Sequence, residues 1–407
     1  MALLAVEDAQ ETLLKTAVPV ARRESLTLDE ADGRVLAADI QARLTQPPFD
    51  ASAMDGYALR AADASQPSAI LKVIGTSAAG HGFAGMVGPG ETVRIFTGAP
   101  VPAGADTVLI QEDAEKLEDH AIRTTFAVTQ GRHIRPRGQD FAEGETVLTA
   151  GTRLDFSRLM LIAAMNHASV EVFARPRVAI LSTGDELVPP GTPPGPHQII
   201  GSNTFGIGTL ARQAGAEVID LGIVPDNRDL ITAAIERARA ARADVLVTLG
   251  GASVGDHDLV QSTLLAAGMR LDFWKIAMRP GKPLMVGDLD GMHVLGLPGN
   301  PVSSMVCGLL FLEPLLARLS GRPAVSRLAV ARTATALPAN DKRQDYLRAR
   351  LSRDADGGLL AESYGKQDSS MMKIFARSDC LIVRPPHAPE LPAGAETPVL
   401  LLRPPEG

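Results

Sequence analysis

The fold is decided by three apolar segments, RVAILSTGDE at 177–186, EVIDLGIVPD at 217–226 and VLVTLGG at 245–251, which alternate with segments of helical periodicity. Short, continuous apolar runs are typical of strands covered by helices on both faces, which predicts strands at 178–182, 218–222 and 245–249. Helices are predicted at 202–214 and at 228–241, where Ile231, Ile235 and Ala238 share one face. This βαβαβ order predicts an open, mainly parallel sheet.

The pattern continues outward from this centre. A helix at 259–266, strands around 273, 284–287 and 294–296, and a helix at 301–319 would complete the sheet domain. Paired prolines at 47–48 and repeated glycine clusters predict a small β-rich domain inserted into an N-terminal one, and alternating strands after 326 predict another small β domain. The sequence therefore predicts an α/β multidomain protein divided into 1–45 with 146–176, 46–145, 177–325 and 326–407.

Composition excludes several classes of protein. The 407 residues carry 47 acidic and 40 basic side chains, a formal charge of −7, whereas proteins that grip nucleic acid carry a basic surplus. No uninterrupted apolar run reaches the roughly 18 residues that a membrane span requires, so we expect no membrane-spanning segment. The N-terminus lacks the basic region of a secretory signal, and Cys307 and Cys380 are too far apart in sequence for a zinc motif. We expect a cytoplasmic protein with reduced thiols and no nucleic acid partner.

Polar residues follow the strands of the central domain, where the ligands of doubly wound sheets bind. Glycines and the starts of helices at these positions predict a phosphate-type site, because backbone N–H groups there point at an anion. Basic side chains between two strands would neutralise an oxyanion, and carboxylates would hold a hard cation such as Mg²⁺. The candidates are Glu186, Asp226, Gly250, Gly251, Ser253, Asp258, Lys275, Arg279, Lys282, Pro298, Asn300, Pro301 and Ser303. We expect one cavity to collect them.

Ordinary explanations exist for each feature taken singly. The glycines are typical of turns and the acids of helix caps, and the chain has neither a P-loop nor a Gly-x-Gly-x-x-Gly motif. Since the sequence also lacks a recognisable nucleophile–base pair, positioning and electrostatics would have to provide the catalysis. Further polar clusters lie outside the sheet domain, at 47–58 with Asp55, at 94–106 with Thr97, at 135–140 with Asp140, and at Arg343, Arg348, Ser369 and Ser370.

In this order, the clusters resemble the MoeA-type molybdopterin molybdenumtransferases, which are related to the E domain of gephyrin. The matching motifs are PFDASAMDGY (48–57), TGAP (97–100), STGDEL (182–187), residues 250–258, PGKP (280–283) and GLPGNPVS (296–303). The resemblance covers nearly the whole chain. It implies an elongated homodimer of four-domain subunits, with a sheet domain similar to molybdopterin adenylyltransferase.

The resemblance also implies a reaction, in which adenylylated molybdopterin and molybdate are substrates, Mg²⁺ assists hydrolysis, AMP leaves and molybdenum is placed on the dithiolene sulfurs. Asp55 and Thr97 of one subunit would face the cleft of the other. The implied catalytic carboxylates are Asp55, Asp140, Glu186, Asp226 and Asp258, of which Glu186, Asp226 and Asp258 would bind metal. Oxyanion and cofactor contacts would come from Thr97, Lys275, Arg279, Lys282, Ser303, Arg348, Ser369 and Ser370, with Arg343 as a weaker candidate.

Some positions depart from the family pattern. Ala51 stands where many relatives have Asn, Arg279 where some have Lys, and Gly201 where an Asp is common. Arg279 keeps the positive charge, whereas Gly201 removes an acid. Two other functions stay open: an ATP-dependent molybdopterin adenylyltransferase, and a non-enzymatic scaffold that binds pterin. Partners from neighbouring steps would include molybdopterin adenylyltransferase and downstream cofactor-modifying proteins.

Overall fold

A computed structural model of the chain describes residues 3–250, 259–322 and 326–403. Gly251, Ser253 and Asp258 of the predicted site therefore lie outside the described residues. The chain divides into two compact units. The first contains Met1–Glu24, Gly33–Val35 and Val172–Gly407, and the second contains Ser25–Asp32 and Leu36–Glu171. The four-part domain division stays a prediction, although residues 1–24 belong to the same unit as the central sheet.

The elements of the first 173 residues are mostly short strands. Helix α1 is Val6–Lys15 and α2 is Phe156–Ala164, and 3₁₀ turns lie at Leu28–Glu30, Ala61–Ala64 and Gln111–Asp113. The strands are β1 (Arg23–Thr27), β2 (Ile40–Gln41), β3 (Ala51–Ser52), β4 (Gly56–Leu59), β5 (Ile70–Ser77), β6 (Glu91–Ile95), β7 (Thr107–Ile110), β8 (Ala114–Lys116), β9 (Ala121–Thr124), β10 (Ile134–Arg135), β11 (Thr146–Leu148) and β12 (Ser169–Phe173).

The second unit is built around a six-stranded sheet of order β7-β4-β6-β5-β9-β8. Its pairings are antiparallel except for β5 with β6. Tyr57, Leu59, Leu71, Leu109 and Ile122 form its buried core. The predicted β-rich character of this segment is confirmed. The turns before β4 and after β6 place Asp55 beside Thr97.

The remaining elements alternate between strand and helix before the chain returns to strands. The helices are α3 (Asn203–Gln213), α4 (Arg228–Ala240), α5 (Leu259–Ala266), α6 (Pro301–Cys307), which continues through a π-helical turn (Gly308–Leu312) into α7 (Glu313–Leu319), and α8 (Met372–Arg377). The strands are β13 (Arg177–Thr183), β14 (Leu187–Val188), β15 (Ile199–Ile200), β16 (Glu217–Val224), β17 (Val245–Leu249), β18 (Arg270–Lys275), β19 (Met278–Arg279), β20 (Pro283–Leu289), β21 (Met292–Leu297), β22 (Leu328–Thr333), β23 (Gln344–Arg353), β24 (Leu359–Ser363), β25 (Cys380–Arg384) and β26 (Glu396–Leu401).

The central sheet has the order β16-β13-β17-β21-β20-β18. The first four strands are parallel and β20 is antiparallel to both of its neighbours, so β18 runs in the direction of the first four, which confirms the mainly parallel α/β prediction. Side chains alternate between the faces of β13. Val178 and Ile180 pack with α3, α6 and α7, while Ala179 and Leu181 pack with α4 and α5. Burial on both faces explains why the strands read as continuous apolar runs.

Among the described residues, one helix is long and apolar enough to cross a membrane, Pro301–Leu319, with 19 residues and a mean hydropathy of 1.6. The structure buries 78% of that window inside the protein. Phe311, Leu312, Leu315 and Leu316 are fully buried in the core beside the central sheet. Packing within the fold therefore accounts for the apolar composition of this helix.

The C-terminal sheet has the order β19-β23-β24-β22-β26-β25. Its first strand comes from the α/β domain, because Met278 and Arg279 pair in parallel with Gln344 and Asp345. The predicted C-terminal β domain is present, but it shares this strand with the preceding domain. The shared strand holds the basic segment 279–282 against the C-terminal sheet.

Candidate active site

A cavity of about 860 Å³ lies at the carboxyl ends of the parallel strands. It is lined by residues that directly follow β13, β16, β17 and β21, because parallel strands end at the same sheet edge. The structure brings together here these residues of the predicted site: Glu186, Asp226, Gly250, Pro298, Asn300, Pro301 and Ser370. The sheet edge thus collects groups that lie up to 184 residues apart in sequence, from Glu186 to Ser370.

Two acidic side chains, Glu186 and Asp226, line this cavity, and the charge of Asp185 acts on Asp226 as well. The pKa of Asp226 is raised above its usual value, first by burial and then by the negative charges of Asp185 and Glu186. The backbone N–H of Asp226 donates to Oδ1 of Asp185 over 3.0 Å, which ties the two loops together. Among the described residues no three acids, histidines or cysteines are grouped closely enough to hold a metal ion by themselves. Asp226 and Glu186 therefore form a partial set of hard oxygen ligands, and Asp258 lies outside the described residues.

Glycine is required at position 250 in the cavity wall, where the backbone packs closely against Thr183 and Gly299. Gly250 has a φ of +93°, and a Cβ there would lie 2.7 Å from the carbonyl oxygen of Thr183. On the other side, a Cβ at Gly299 would lie 4.0 Å from the Cα of Gly250. A larger residue at 250 would be strained by both conformation and contact. The close packing of backbone explains this glycine without reference to a ligand.

The turn between β21 and α6 is held by residues from two other parts of the chain. Asn300 Nδ2 donates to Oγ of Ser369 over 3.0 Å, and the N–H of Val302 donates to the carbonyl of Ser369 over 3.1 Å. Asn203 Nδ2 donates to the carbonyl of Gly299 over 2.8 Å. Ser369 therefore supports this wall of the cavity. Ser370 lines the cavity, and Ser303 is buried without lining it.

The expectation of one cavity for all the predicted groups is wrong for Arg279, Lys275, Lys282 and Ser303, which do not line the first cavity. Arg279 and Arg348 line a second cavity of about 340 Å³, together with Arg384, Asp345 and Gln367. Arg279 turns away from the first cavity because Asp345 and Asp341 bind its guanidinium. The segments 279–283 and 367–370 each contribute to both cavities, so the two lie on either side of these segments. Lys275 and Lys282 line neither of them.

Arg348 is an unusual side chain in the second cavity. Only 1% of it is exposed, and burial lowers the pKa of its guanidinium. Its Nη2 donates to the carbonyl of Asp368 over 3.2 Å, while Nε has no partner among the described residues. A buried guanidinium donor without an acceptor is suited to binding an anion.

In the second unit, Asp55 and Thr97 form a hydrogen-bonded pair. Oδ1 of Asp55 accepts from both the backbone N–H and the hydroxyl of Thr97, each at 2.8 Å. These bonds lower the pKa of Asp55, so the carboxylate is charged at neutral pH. Asp140 lies with Phe49, Arg135 and Gly98 around a cavity of about 520 Å³ in the same unit.

Several cavity residues are not among those that the sequence predicts. Thr183, Ser202, Asn203 and Met372 all line the first cavity. Thr183 belongs to the motif at 182–187, and its position at the end of a predicted strand is the sequence feature that could have identified it as a cavity residue. Met372 lies on α8, a short helix that local sequence patterns do not predict.

Comparison with known proteins agrees with this architecture. Residues 4–166 match the "MoeA N-terminal region (domain I and II)", residues 179–318 match the "Probable molybdopterin binding domain" and residues 330–402 match the "MoeA C-terminal region (domain IV)". A molybdopterin molybdenumtransferase of Haemophilus influenzae is 37% identical over 387 residues, covering 94% of each chain. One from Nostoc sp. is 34% identical over 392 residues, covering 93% of this chain and 88% of the relative.

The fold has solved relatives as well. A molybdopterin biosynthesis MoeA protein of Pyrococcus horikoshii has a TM-score of 0.85 at 32% identity, covering 99% of this chain and all of that one. The fold and the cavity at the sheet edge are those of a multidomain protein built around a molybdopterin-binding domain. The three matched regions and the similarity along nearly its full length show that the chain belongs to the MoeA family.

Proposed function

We propose that this enzyme transfers molybdenum from molybdate to molybdopterin, with the pterin substrate bound in the cavity at the edge of the central sheet. The observation that carries the proposal is the meeting of Glu186, Asp226, Asn300 and Ser370 around one space of about 860 Å³. That volume is within the range of small-molecule and cofactor sites. The curated relatives named molybdopterin molybdenumtransferase support the same reaction.

The substrate in this proposal is molybdopterin in its adenylylated form. Water attacks one phosphorus of the pyrophosphate-type link and the bridging P–O bond breaks, which gives AMP and molybdopterin with its terminal phosphate, while the proton of the attacking water passes to solvent. The dithiol gives its two protons to one oxygen of molybdate, which leaves as water while two sulfur–molybdenum bonds form. Binding and orientation of two small anions would be the main task of the protein.

The acidic end of the cavity fits a divalent cation. Asp226 and Glu186 would hold Mg²⁺, because a bound cation would offset both the burial and the negative charges of Asp185 and Glu186 that raise the pKa of Asp226. When bound, Mg²⁺ would neutralise charge on the phosphate oxygens.

The arginines of the second cavity would receive the smaller anion. Arg348 carries an unpaired, buried Nε, and Arg384 is 5% exposed in the same cavity, both within the described part of the chain. Molybdate is a doubly charged tetrahedral oxyanion, which multidentate guanidinium groups bind well. Lys275 and Lys282 line neither cavity, so this part of the proposal rests on the arginines.

A homodimer is also part of the proposal. Phe156 and Met160, one turn apart on α2, are 87% and 72% exposed. Large exposed apolar side chains that lie together are typical of a surface covered by a partner. Asp55, Thr97 and Asp140 would then complete the site of the second subunit. The buried, free thiols of Cys307 and Cys380 fit a cytoplasmic location.

The test is a reconstitution with the purified full-length protein. Adenylylated molybdopterin, molybdate and Mg²⁺ are supplied, AMP is measured by chromatography, and cofactor is measured by activation of an apo-molybdoenzyme. We expect molybdate-dependent AMP release, with loss of activity in Asp226→Asn and near wild-type activity in Asp229→Asn on α4. Consumption of ATP with unadenylylated molybdopterin would support the adenylyltransferase alternative. Binding without turnover would support the scaffold.

A further inference from the structure

The hydroxyl of Thr183 is buried without a hydrogen-bond partner. Thr183 is the last residue of β13 and is 4% exposed, and its Oγ1 has no partner among the described residues. The preceding residue differs, since Ser182 Oγ and Thr204 Oγ1 are 2.7 Å apart and bonded. Buried hydroxyl groups are nearly always paired, so an unpaired one at this position requires an explanation.

Thr183 forms part of the wall of the first cavity. A Cβ on Gly250 would lie 3.5 Å from its Oγ1, so glycine at 250 keeps a side chain away from this hydroxyl. Thr183 is also followed by Gly184, whose missing side chain leaves room for the carboxylate of Glu186. Thr183 thus lines the cavity, and its Oγ1 is buried in the cavity wall beside two glycines.

A second threonine provides a comparison. Thr248, on the neighbouring strand β17, is fully buried, and within the described ranges its Oγ1 has no partner either. Thr248 does not line the cavity. The two residues share chemistry and burial, and they differ in that Thr183 lines the cavity and Thr248 does not.

We propose that Oγ1 of Thr183 donates a hydrogen bond to a phosphate oxygen of the bound pterin nucleotide. This rests on the proposed function, because it assigns one contact within the same site. A phosphate oxygen fits because Glu186 and Asp226, which would hold a divalent cation, line the same cavity, and because the backbone of Gly250 lies against Thr183. The free protein bears the cost of burying an unpaired hydroxyl, and the substrate supplies the missing partner.

The test measures binding of AMP and of adenosine to the full-length protein by calorimetry with Mg²⁺ present. Thr183→Val keeps the shape and removes the hydroxyl, Thr183→Ser keeps the hydroxyl, and Thr248→Val is the matched control. For Thr183→Val we expect a Kd for AMP that is about tenfold higher than wild type and an unchanged Kd for adenosine. Thr183→Ser and Thr248→Val should bind AMP as wild type does.

Thermal unfolding separates binding from structure. Since an unpaired hydroxyl is removed, Thr183→Val without ligand should melt at or above the wild-type temperature, while AMP should raise its Tm less than it raises that of wild type. Wild-type affinity for AMP in Thr183→Val would overturn the inference, as would equal weakening for adenosine or a lowered Tm without ligand. A wild-type protein that binds neither AMP nor molybdopterin would instead count against the proposed function.

Discussion

The guanidinium of Arg279 holds the buried carboxylate of Asp345 through two hydrogen bonds. Nε of Arg279 lies 2.8 Å from Oδ1 of Asp345, and Nη2 binds the other oxygen. The side chain of Asp345 is 4% exposed, whereas that of Arg279 is 47% exposed. The pair fastens β19 to the C-terminal sheet beside the second cavity. Because Asp345 is buried and Arg279 is about half exposed, we expect mutation of the two residues to change the stability of the protein by different amounts.

Replacing Arg279 should cost more stability than replacing Asp345. Arg279→Met leaves a buried carboxylate unpaired, for which we expect a loss of about 2–5 kcal/mol in the free energy of unfolding. Asp345→Asn leaves an exposed guanidinium that water can solvate, for which we expect about 1 kcal/mol. Urea denaturation of both variants measures the difference. Equal losses would show that the pair does not hold the strand as described.

Asp226 should make the free protein less stable at neutral pH. Because its pKa is raised in the folded state, its contribution to stability is present below the unfolded value of 3.8 and is lost as pH rises through the folded value. Asp226→Asn should therefore unfold at a higher temperature than wild type at pH 7, with the difference shrinking as the pH falls toward the unfolded value. Mg²⁺ should raise the Tm of wild type and have less effect on the variant. A variant that melts lower than wild type at pH 7 would contradict the repulsion.

A shared site in a homodimer can be tested by mixing two inactive variants. Asp55→Ala removes the carboxylate bound by Thr97 in one unit, and Asp226→Asn changes the cavity in the other. If each site combines the first unit of one subunit with the second unit of the other, a dimer of the two variants has one site in which both units are intact. After random exchange of subunits, activity should recover to about a quarter of wild type. Recovery that stays at the level of either variant alone would indicate that each subunit supplies its own complete site.

The hydrogen-bonded pair of Asp55 and Thr97 should stabilise the protein less in acid than at neutral pH. The hydrogen bonds from Thr97 lower its pKa, so the stability that they provide is present above the unfolded value of 3.8 and is lost as pH falls through the folded value. Asp55→Ala should therefore differ most from wild type near neutral pH and converge with it in acid. Thermal unfolding across this range measures the effect, with Asp50→Ala, on the other side of β3, as a comparison.

Gly250 should be more sensitive to substitution than another glycine of similar conformation. Gly222 has a φ of +82° and nothing within 4 Å of the position that a Cβ would take, whereas a Cβ at Gly250 would meet the Thr183 carbonyl. Both Ala variants bear backbone strain of about 1–3 kcal/mol, and Gly250→Ala adds the steric contact. We expect a larger fall in Tm and loss of AMP binding for Gly250→Ala. Similar behaviour of the two variants would mean that the loops can move apart.

Local patterns predict the central domain well. The strands at 178–182 and 245–249 and the helix at 228–241 need only apolar runs and a shared helical face, and the structure has them as β13, β17 and α4. Short α8 escapes prediction because six residues give too little periodicity, and the π-helical turn within 301–319 has no signature in the pattern. The strand β19 escapes it for a different reason. Its two residues become a strand only because Gln344 and Asp345 pair with them from a distant part of the chain.

The sequence by itself determined the parallel sheet and the residues that gather at its edge, since strand order and direction bring Glu186, Asp226 and Asn300 to the same end. Only the tertiary structure decided which side chains are available there. Arg279 is expected beside the carboxylates, but Asp345 binds it, and the hydroxyl of Thr183 is left without a partner among the described residues of the cavity wall. Side-chain pairing depends on neighbours that are remote in sequence, so it cannot be read from local patterns. The sequence therefore predicts which residues gather at the site, and the tertiary structure determines which of their side chains can bind a ligand.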